Sequence, residues 1–171
     1  MRIGNYHGAG GGRLFLKEDA MLLAEALAKR AQAQDRLNEL ERRLTRNARI
    51  QEGDTPVEDS EALLKESASV LQSIETLVRR INHTNASTPF EGDATLTDAI
   101  ARRDAFLRAR RFYSAVADAA SARADRYSAS EVRYVSTVDV GQLHAMADKA
   151  AKEYRELDTK IQQLNWATEL L

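Results

Sequence analysis

Residues 143–164 read LHAMADKAAKEYRELDTKIQQL, and this stretch decides the fold. Apolar or small side chains recur along it at alternating spacings of four and three, the heptad pattern of a helix that buries one side. The repeat continues for three heptads without a break, through Leu143, Ala147, Ala150, Tyr154, Leu157, Ile161 and Leu164. We expect this seam to lie in a helical core or between copies of the chain. Asp139 stands just before the repeat and is the expected N-cap.

The sequence predicts three further long helices upstream of this one. Leucines mark one face of a first helix from about Met21 to Asn47. A second helix is expected to begin near Pro56 with Thr55 as its cap, and it carries its own heptad seam. A third helix, rich in alanine, is expected to extend to about Tyr127.

Two connections break the helical period. Residues 82–96 are polar and contain a tight Glu-Gly-Asp turn, which predicts a short hairpin or ordered loop. Residues 131–138 alternate in side-chain character and predict a single strand. The predicted fold is therefore mainly α: an elongated antiparallel bundle of about four long helices, formed from two hairpins with coiled-coil-like heptads and closed by a small β or loop cap.

The amino-terminal segment differs from the rest of the chain. Five of the eight glycines fall within the first 12 residues, where any fixed backbone costs much conformational entropy. We expect residues 1–20 to form a flexible tail or an upstream extension, with Met21 as the natural start. Residues 21–171 are expected to form a single helical-bundle domain.

Composition excludes several classes of function. The 25 basic and 26 acidic side chains nearly cancel, so no global field attracts nucleic acid, and no nucleic-acid partner is expected. The chain has no cysteine, which excludes disulfides, thiolate catalysis and cysteine-based metal sites. No apolar run approaches a membrane span and no secretory signal is evident, so a cytoplasmic location is expected.

No catalytic, metal or cofactor site emerges from the spacing of reactive residues. His7, His83 and His144 lack a carboxylate or second histidine at a metal-ligand spacing, and the Glu-x-x-His motif of di-metal bundles is absent. The five arginines between residues 102 and 111 point to several sides of a helix, as on a solvated face. We therefore expect no cofactor, and the sequence favours a non-enzymatic protein.

Two polar clusters are the candidate interaction site. They are expected in the two connections, where directed polar groups either satisfy loop backbone or face a ligand. The capping interpretation is favoured, and no small-molecule ligand is indicated. The clusters consist of Asn82, Thr84 and Asn85, and of Ser136, Thr137 and Asp139.

Several short stretches from Met21 onward, spread over about 150 residues, carry a family resemblance. They include Leu-Ala-Glu-Ala-Leu at 23–27, Gln-Glu-Gly-Asp at 51–54, Arg-Ile-Asn at 80–82, Leu-Thr-Asp-Ala at 96–99, Ala-Arg-Arg-Asp at 101–104, Asp-Arg-Tyr-Ser at 125–128, Val-Ser-Thr-Val-Asp at 135–139, Glu-Tyr-Arg-Glu-Leu-Asp at 153–158 and Leu-Asn-Trp at 164–166. Together they resemble the septicolysin-like family of small bacterial helical proteins. The resemblance implies a cytolysin by name and brings no catalytic or binding residues.

Three functions follow from these observations. The leading hypothesis is a non-enzymatic, self-associating bundle that acts as an interaction or assembly component, with a second copy of the chain as its partner. The family label makes a membrane-active, cytolysin-like protein the alternative. The third hypothesis is binding of a small ligand through the two polar clusters.

Overall fold

The computed structural model describes residues 20–92, 94–121 and 135–171. These residues form four helices: α1 (Leu23–Asn47), α2 (Ser60–Ser87), α3 (Leu96–Ser121) and α4 (Val140–Ala167). The described ranges contain two isolated antiparallel bridges, Leu22 with Glu169 and Pro89 with Thr95, and no strand. The predicted mainly α bundle of four long helices is confirmed.

The four helices are arranged as two antiparallel hairpins. α1 packs along α2, and α3 packs along α4. By contrast, α1 contacts α4 and α2 contacts α3 over short stretches only. These contacts lie where α1 and α3 begin and α2 and α4 end, which we call the shared end. Beyond the shared end, each hairpin is a pair of helices without close neighbours in the described chain.

A small apolar core holds the two hairpins together at the shared end. Each of its members is at most 8% exposed, and Ile81 and Ile161 are 1% exposed. All four helices and the segment after α4 contribute to it. The core consists of Leu23, Ala26, Ile81, Leu96, Ala99, Ile161 and Leu170.

The seam predicted in α4 lies mainly along its contact with α3. Ala147, Ala150 and Ile161 are buried. The remaining seam residues are half-buried, and two of them, Leu157 and Leu164, pack against the core of the shared end. The two alanines of the seam, Ala147 and Ala150, let α3 and α4 approach closely in this part of their contact.

The second helix begins later than predicted. Asp59 caps it by accepting hydrogen bonds from the backbone N–H groups of Glu61 and Ala62 at 3.0 and 3.1 Å. Thr55 and Pro56 therefore lie outside the helix. Aspartate is a stronger N-cap than threonine, which explains the choice between the two candidate starts. Likewise, α1 begins at Leu23 because the residues before it pair with the segment after α4.

The predicted loop at residues 82–96 is wrong for its first half, because α2 continues through Ser87. Thr84 and Thr88 donate hydroxyl hydrogen bonds to the carbonyl oxygens four residues earlier, at 2.9 and 2.7 Å, so these polar residues are compatible with the last helical turns. The turn that follows is short. Gly92 adopts a φ of +66°, and the Phe90 N–H donates to the Ala94 carbonyl at 2.8 Å.

The predicted strand at 131–138 is not present in its described part, residues 135–138. There the Ser136 hydroxyl bonds locally to the backbone of Val138 instead of to a neighbouring strand. Residues 131–134, the end of the third helix near Tyr127 and the glycine-rich segment 1–19 lie outside the described residues.

Candidate functional site

The two predicted polar clusters lie at opposite ends of α4. Thr84 and Asn85 are near the carboxyl end of α2, at the shared end, and Asn82, two residues before Thr84, is exposed. Ser136, Thr137 and Asp139 precede α4 at its far end. Since α4 has 28 residues, it spans about 40 Å at 1.5 Å per residue. The fold therefore does not bring the two clusters together.

Thr84 binds the last residues of the sequence to α2. Its hydroxyl donates to the Arg80 carbonyl and accepts from the Leu171 N–H at 3.0 Å. The Arg80 guanidinium donates to the main-chain oxygens of Leu171 and Leu170 at 2.9 and 3.3 Å. On the other side, Leu170 N–H donates to the Met21 carbonyl at 2.8 Å. Thr84 is therefore buried because it holds the segment after α4 against α2.

The second cluster makes local contacts only. Asp139 caps α4, as predicted, by accepting from the backbone N–H of Gln142 at 2.9 Å. Ser136 bonds to Val138, and Thr137 is exposed. In the described part of the chain, no group of three or more histidine, aspartate or glutamate side chains lies close enough to hold a metal ion.

The hairpin of α1 and α2 has one flank closed by ion pairs, where a flank is the side surface next to the contact between the two helices. The Arg36 guanidinium donates to Glu66 of α2 at 2.7 Å, and Arg43 donates to Glu58 at 2.9 Å through Nε. Asn47 adds a hydrogen bond to Glu58 at 2.9 Å. The hydrogen bond from Arg43 is the main cause that lowers the pKa of the Glu58 carboxyl below its ordinary value.

The opposite flank of this hairpin carries a line of partly exposed apolar side chains along α2. Leu63 is buried, and Leu64 lies about 100° further round the helix, away from Glu66. Leu64 is 59% exposed and Leu71 is 53% exposed. Val78, one heptad further, is half-buried. Three apolar side chains at intervals of seven thus form a line along α2 that no described helix covers.

These three side chains belong to a second repeat along α2, in which the residues are spaced alternately by three and four. We call this seven-residue repeat the α2 stripe. It consists of Glu61, Leu64, Ala68, Leu71, Glu75, Val78 and Asn82. Sequence reasoning missed it because the stronger seam of Leu63, Val70 and Leu77 lies one residue away. The offset repeat of leucines was the signal that could have revealed it.

The hairpin of α3 and α4 also has two different flanks. On one flank, Arg103 of α3 donates to Asp158 of α4 at 3.2 Å. The other flank is an open groove of about 490 Å³ between the helices. Within it, the Arg102 guanidinium lies 5.8 Å from the centre of the Phe106 ring. The groove is lined by Arg102, Phe106, Ala109, Tyr113, Met146, Lys149, Ala150 and Glu153.

None of the described helices combines the length and the apolar character that crossing a bilayer requires.

Comparison with known proteins gives a family without an assigned activity. A family model described as "Family of unknown function (DUF6847)" matches residues 30–170. The chain is similar to a solved structure titled as a functionally unknown conserved protein from Corynebacterium diphtheriae, with 50% sequence identity and a TM-score of 0.84. The match covers 90% of this chain and all of that one. No curated protein matches.

These findings correct the family resemblance drawn from short stretches. The matching model describes a different family, and no curated cytolysin supports the septicolysin-like assignment. Short segments such as Leu-Ala-Glu-Ala-Leu are typical of many helices, and Val-Ser-Thr-Val-Asp ends in aspartate, a common N-cap residue. They are therefore weak evidence for a family.

Thr84→Val should destabilise the protein by about 1 kcal/mol, because it keeps the side-chain shape but removes the acceptor for the Leu171 N–H. Thr159→Val is the matched control: Thr159 makes the same bond to the carbonyl four residues earlier, at 2.9 Å, but is exposed. Urea denaturation of both variants measures the difference. Equal stability of the two variants would contradict the proposed role of Thr84.

Stability should fall as the pH drops below about 4.5, the ordinary pKa of glutamate, since the carboxyl of Glu58 has a lowered pKa in the folded state. The folded protein then binds fewer protons than the unfolded chain, and the pairing with Arg43 is lost on acidification. In the Glu58→Gln variant, the free energy of unfolding should fall less steeply as the pH drops through the acidic range. Glu52→Gln, in an exposed turn, is the control, and identical acid branches in wild type and Glu58→Gln would refute the contribution.

Proposed function

The chain belongs to DUF6847, a family of unknown function, and we propose that it is a non-enzymatic assembly component that self-associates through its uncovered apolar flank. The observation that carries the proposal is the α2 stripe, in which two leucines at heptad spacing are more than half exposed. Single exposed leucines are common on protein surfaces. A regular line of them along a helix is instead typical of a surface that packs against another helix.

The architecture supports the same proposal. Because the described parts of the two hairpins contact each other at the shared end alone, helix α2 has α1 as its neighbouring helix along most of its length. The ion pairs from Arg36 and Arg43 lie on the other flank, and none of the four described helices covers the α2 stripe. A second copy would supply the helix that the fold itself does not supply.

The energetics predict a weak, concentration-dependent association. Full burial of a leucine side chain contributes about 1.5–3 kcal/mol, so covering the exposed half of one contributes about 1 kcal/mol. A symmetric dimer would cover four such leucines. Since association costs about 4 kcal/mol or more in lost freedom, additional contacts are needed for a stable complex, and dilution should dissociate it.

Light scattering after size-exclusion chromatography should show a mass that rises above 19.1 kDa with concentration. Loading from about 1 μM to about 1 mM covers binding free energies of roughly −8 to −4 kcal/mol. Leu71→Glu should keep the protein monomeric and folded, because it places a charge on the uncovered flank.

Ser69→Glu is the matched control for that variant. It adds the same charge to the same helix, about 200° away from Leu71, and should associate like the wild type. A wild-type mass of 19.1 kDa at every concentration would overturn the proposed self-association.

A further inference from the structure

We infer that α2 pairs antiparallel with α2 of a second copy, across a two-fold axis near residue 70. The inference rests on the proposed self-association and specifies its geometry. Closed dimers of identical chains generally use one patch on both copies, so the patch must complement itself after a two-fold rotation. The α2 stripe and the charges beside it meet this requirement in one register.

The charges define that register. Lys65 and Arg79 lie beside the stripe on the side away from α1, and Glu61 and Glu75 are members of the stripe. In an antiparallel pair of identical helices, the residue numbers of any two facing residues add up to the same value. The numbers of Glu61 and Arg79 add up to 140, and so do those of Lys65 and Glu75. One register therefore places opposite charges together at both positions, and the two-fold axis repeats each pair.

The apolar side chains fit the same register. Near the axis, Leu71 of one copy lies at the level of residue 69 of the other, one position from Ala68, so a large side chain lies beside a small one. Leu64 lies at the level between Glu75 and Val78 of the second copy. Each exposed leucine thus lies within two positions of an apolar side chain of the second copy, and Glu75, beside Leu64, is paired with Lys65.

The four charged groups are free to change partners. Glu75 and Arg79 form a long contact of 3.5 Å within α2, and their side chains are 65% and 70% exposed. Such an exposed pair contributes little to the monomer. Glu61 and Lys65 are also exposed. Pairing across copies therefore disrupts no buried interaction.

A parallel pairing is disfavoured by the same residues. In that arrangement each residue faces its own copy, and Glu61 would meet Glu61 while Glu75 would meet Glu75. Like charges at facing positions of paired helices destabilise the contact. The sequence of charges along α2 therefore distinguishes the two orientations.

Disulfide trapping tests the orientation, because the 171-residue chain contains no cysteine of its own. Glu61→Cys and Arg79→Cys proteins are prepared separately, checked for helix content by circular dichroism, and oxidised alone and as a mixture. The inference predicts a covalent dimer in the mixture and little in either protein alone. In the antiparallel pair, the two copies of residue 61 are 18 positions apart, or about 27 Å, far beyond disulfide reach.

Two further samples make the test decisive. The pair Lys65→Cys with Glu75→Cys should be trapped in the same way, and Ser69→Cys, on the far side of α2, measures random collision. Dimers of Glu61→Cys alone would overturn the antiparallel orientation. Absence of trapping in both mixtures, together with an oligomeric wild type, would overturn the α2 contact and leave self-association standing. Absence of trapping with a monomeric wild type would overturn both.

Discussion

The apolar core at the shared end is the constraint on which the rest of the structure depends. It is the place where the described parts of the two hairpins touch, and Ile81 and Ile161 lie within it almost fully buried. The segment after α4 closes it from outside: Leu170 enters the core, while Arg80 and Thr84 bind the neighbouring main chain. The contact at the shared end fixes where the two hairpins meet. Over the rest of their described length, neither hairpin packs against the other.

This arrangement explains why each hairpin has two unlike flanks. A pair of helices has one contact line, so side chains next to that line need either charge pairs or a further neighbour. Arg36 with Glu66, and Arg103 with Asp158, bridge the helices on one flank of each hairpin. The other flanks are the α2 stripe and the groove beside Phe106, and both carry exposed apolar side chains among charged ones. The self-association that we propose follows from the first of them.

The sequence patterns predicted the features that depend on residues close together in the chain. The α4 repeat indicated a long helix, and Asp139 was identified as its cap, because both signals lie within a few residues. The start of α2 was misplaced because Thr55 and Asp59 are competing caps four residues apart. The extension of α2 through Ser87 was missed because its threonines bond back to the helix instead of ending it.

Interactions between distant segments could not be predicted in this way. Arg80 and Leu171 are 91 positions apart, and no repeat or motif links them. Thr84 was identified as a candidate residue from its polarity, whereas its position on a buried helix end is a property of the assembled shared end. The α2 stripe was present in the sequence, but only the exposure of Leu64 and Leu71 distinguishes an uncovered repeat from a core one.

Hydrogen–deuterium exchange at a series of protein concentrations tests the central claim most directly, because it reports on separate segments of the wild-type chain. A partner that covers the α2 stripe should slow exchange in peptides spanning residues 64–78 as concentration rises. Peptides spanning residues 96–100, at the shared end, should not change. Concentration-independent exchange in α2, or protection confined to other helices, would contradict the account.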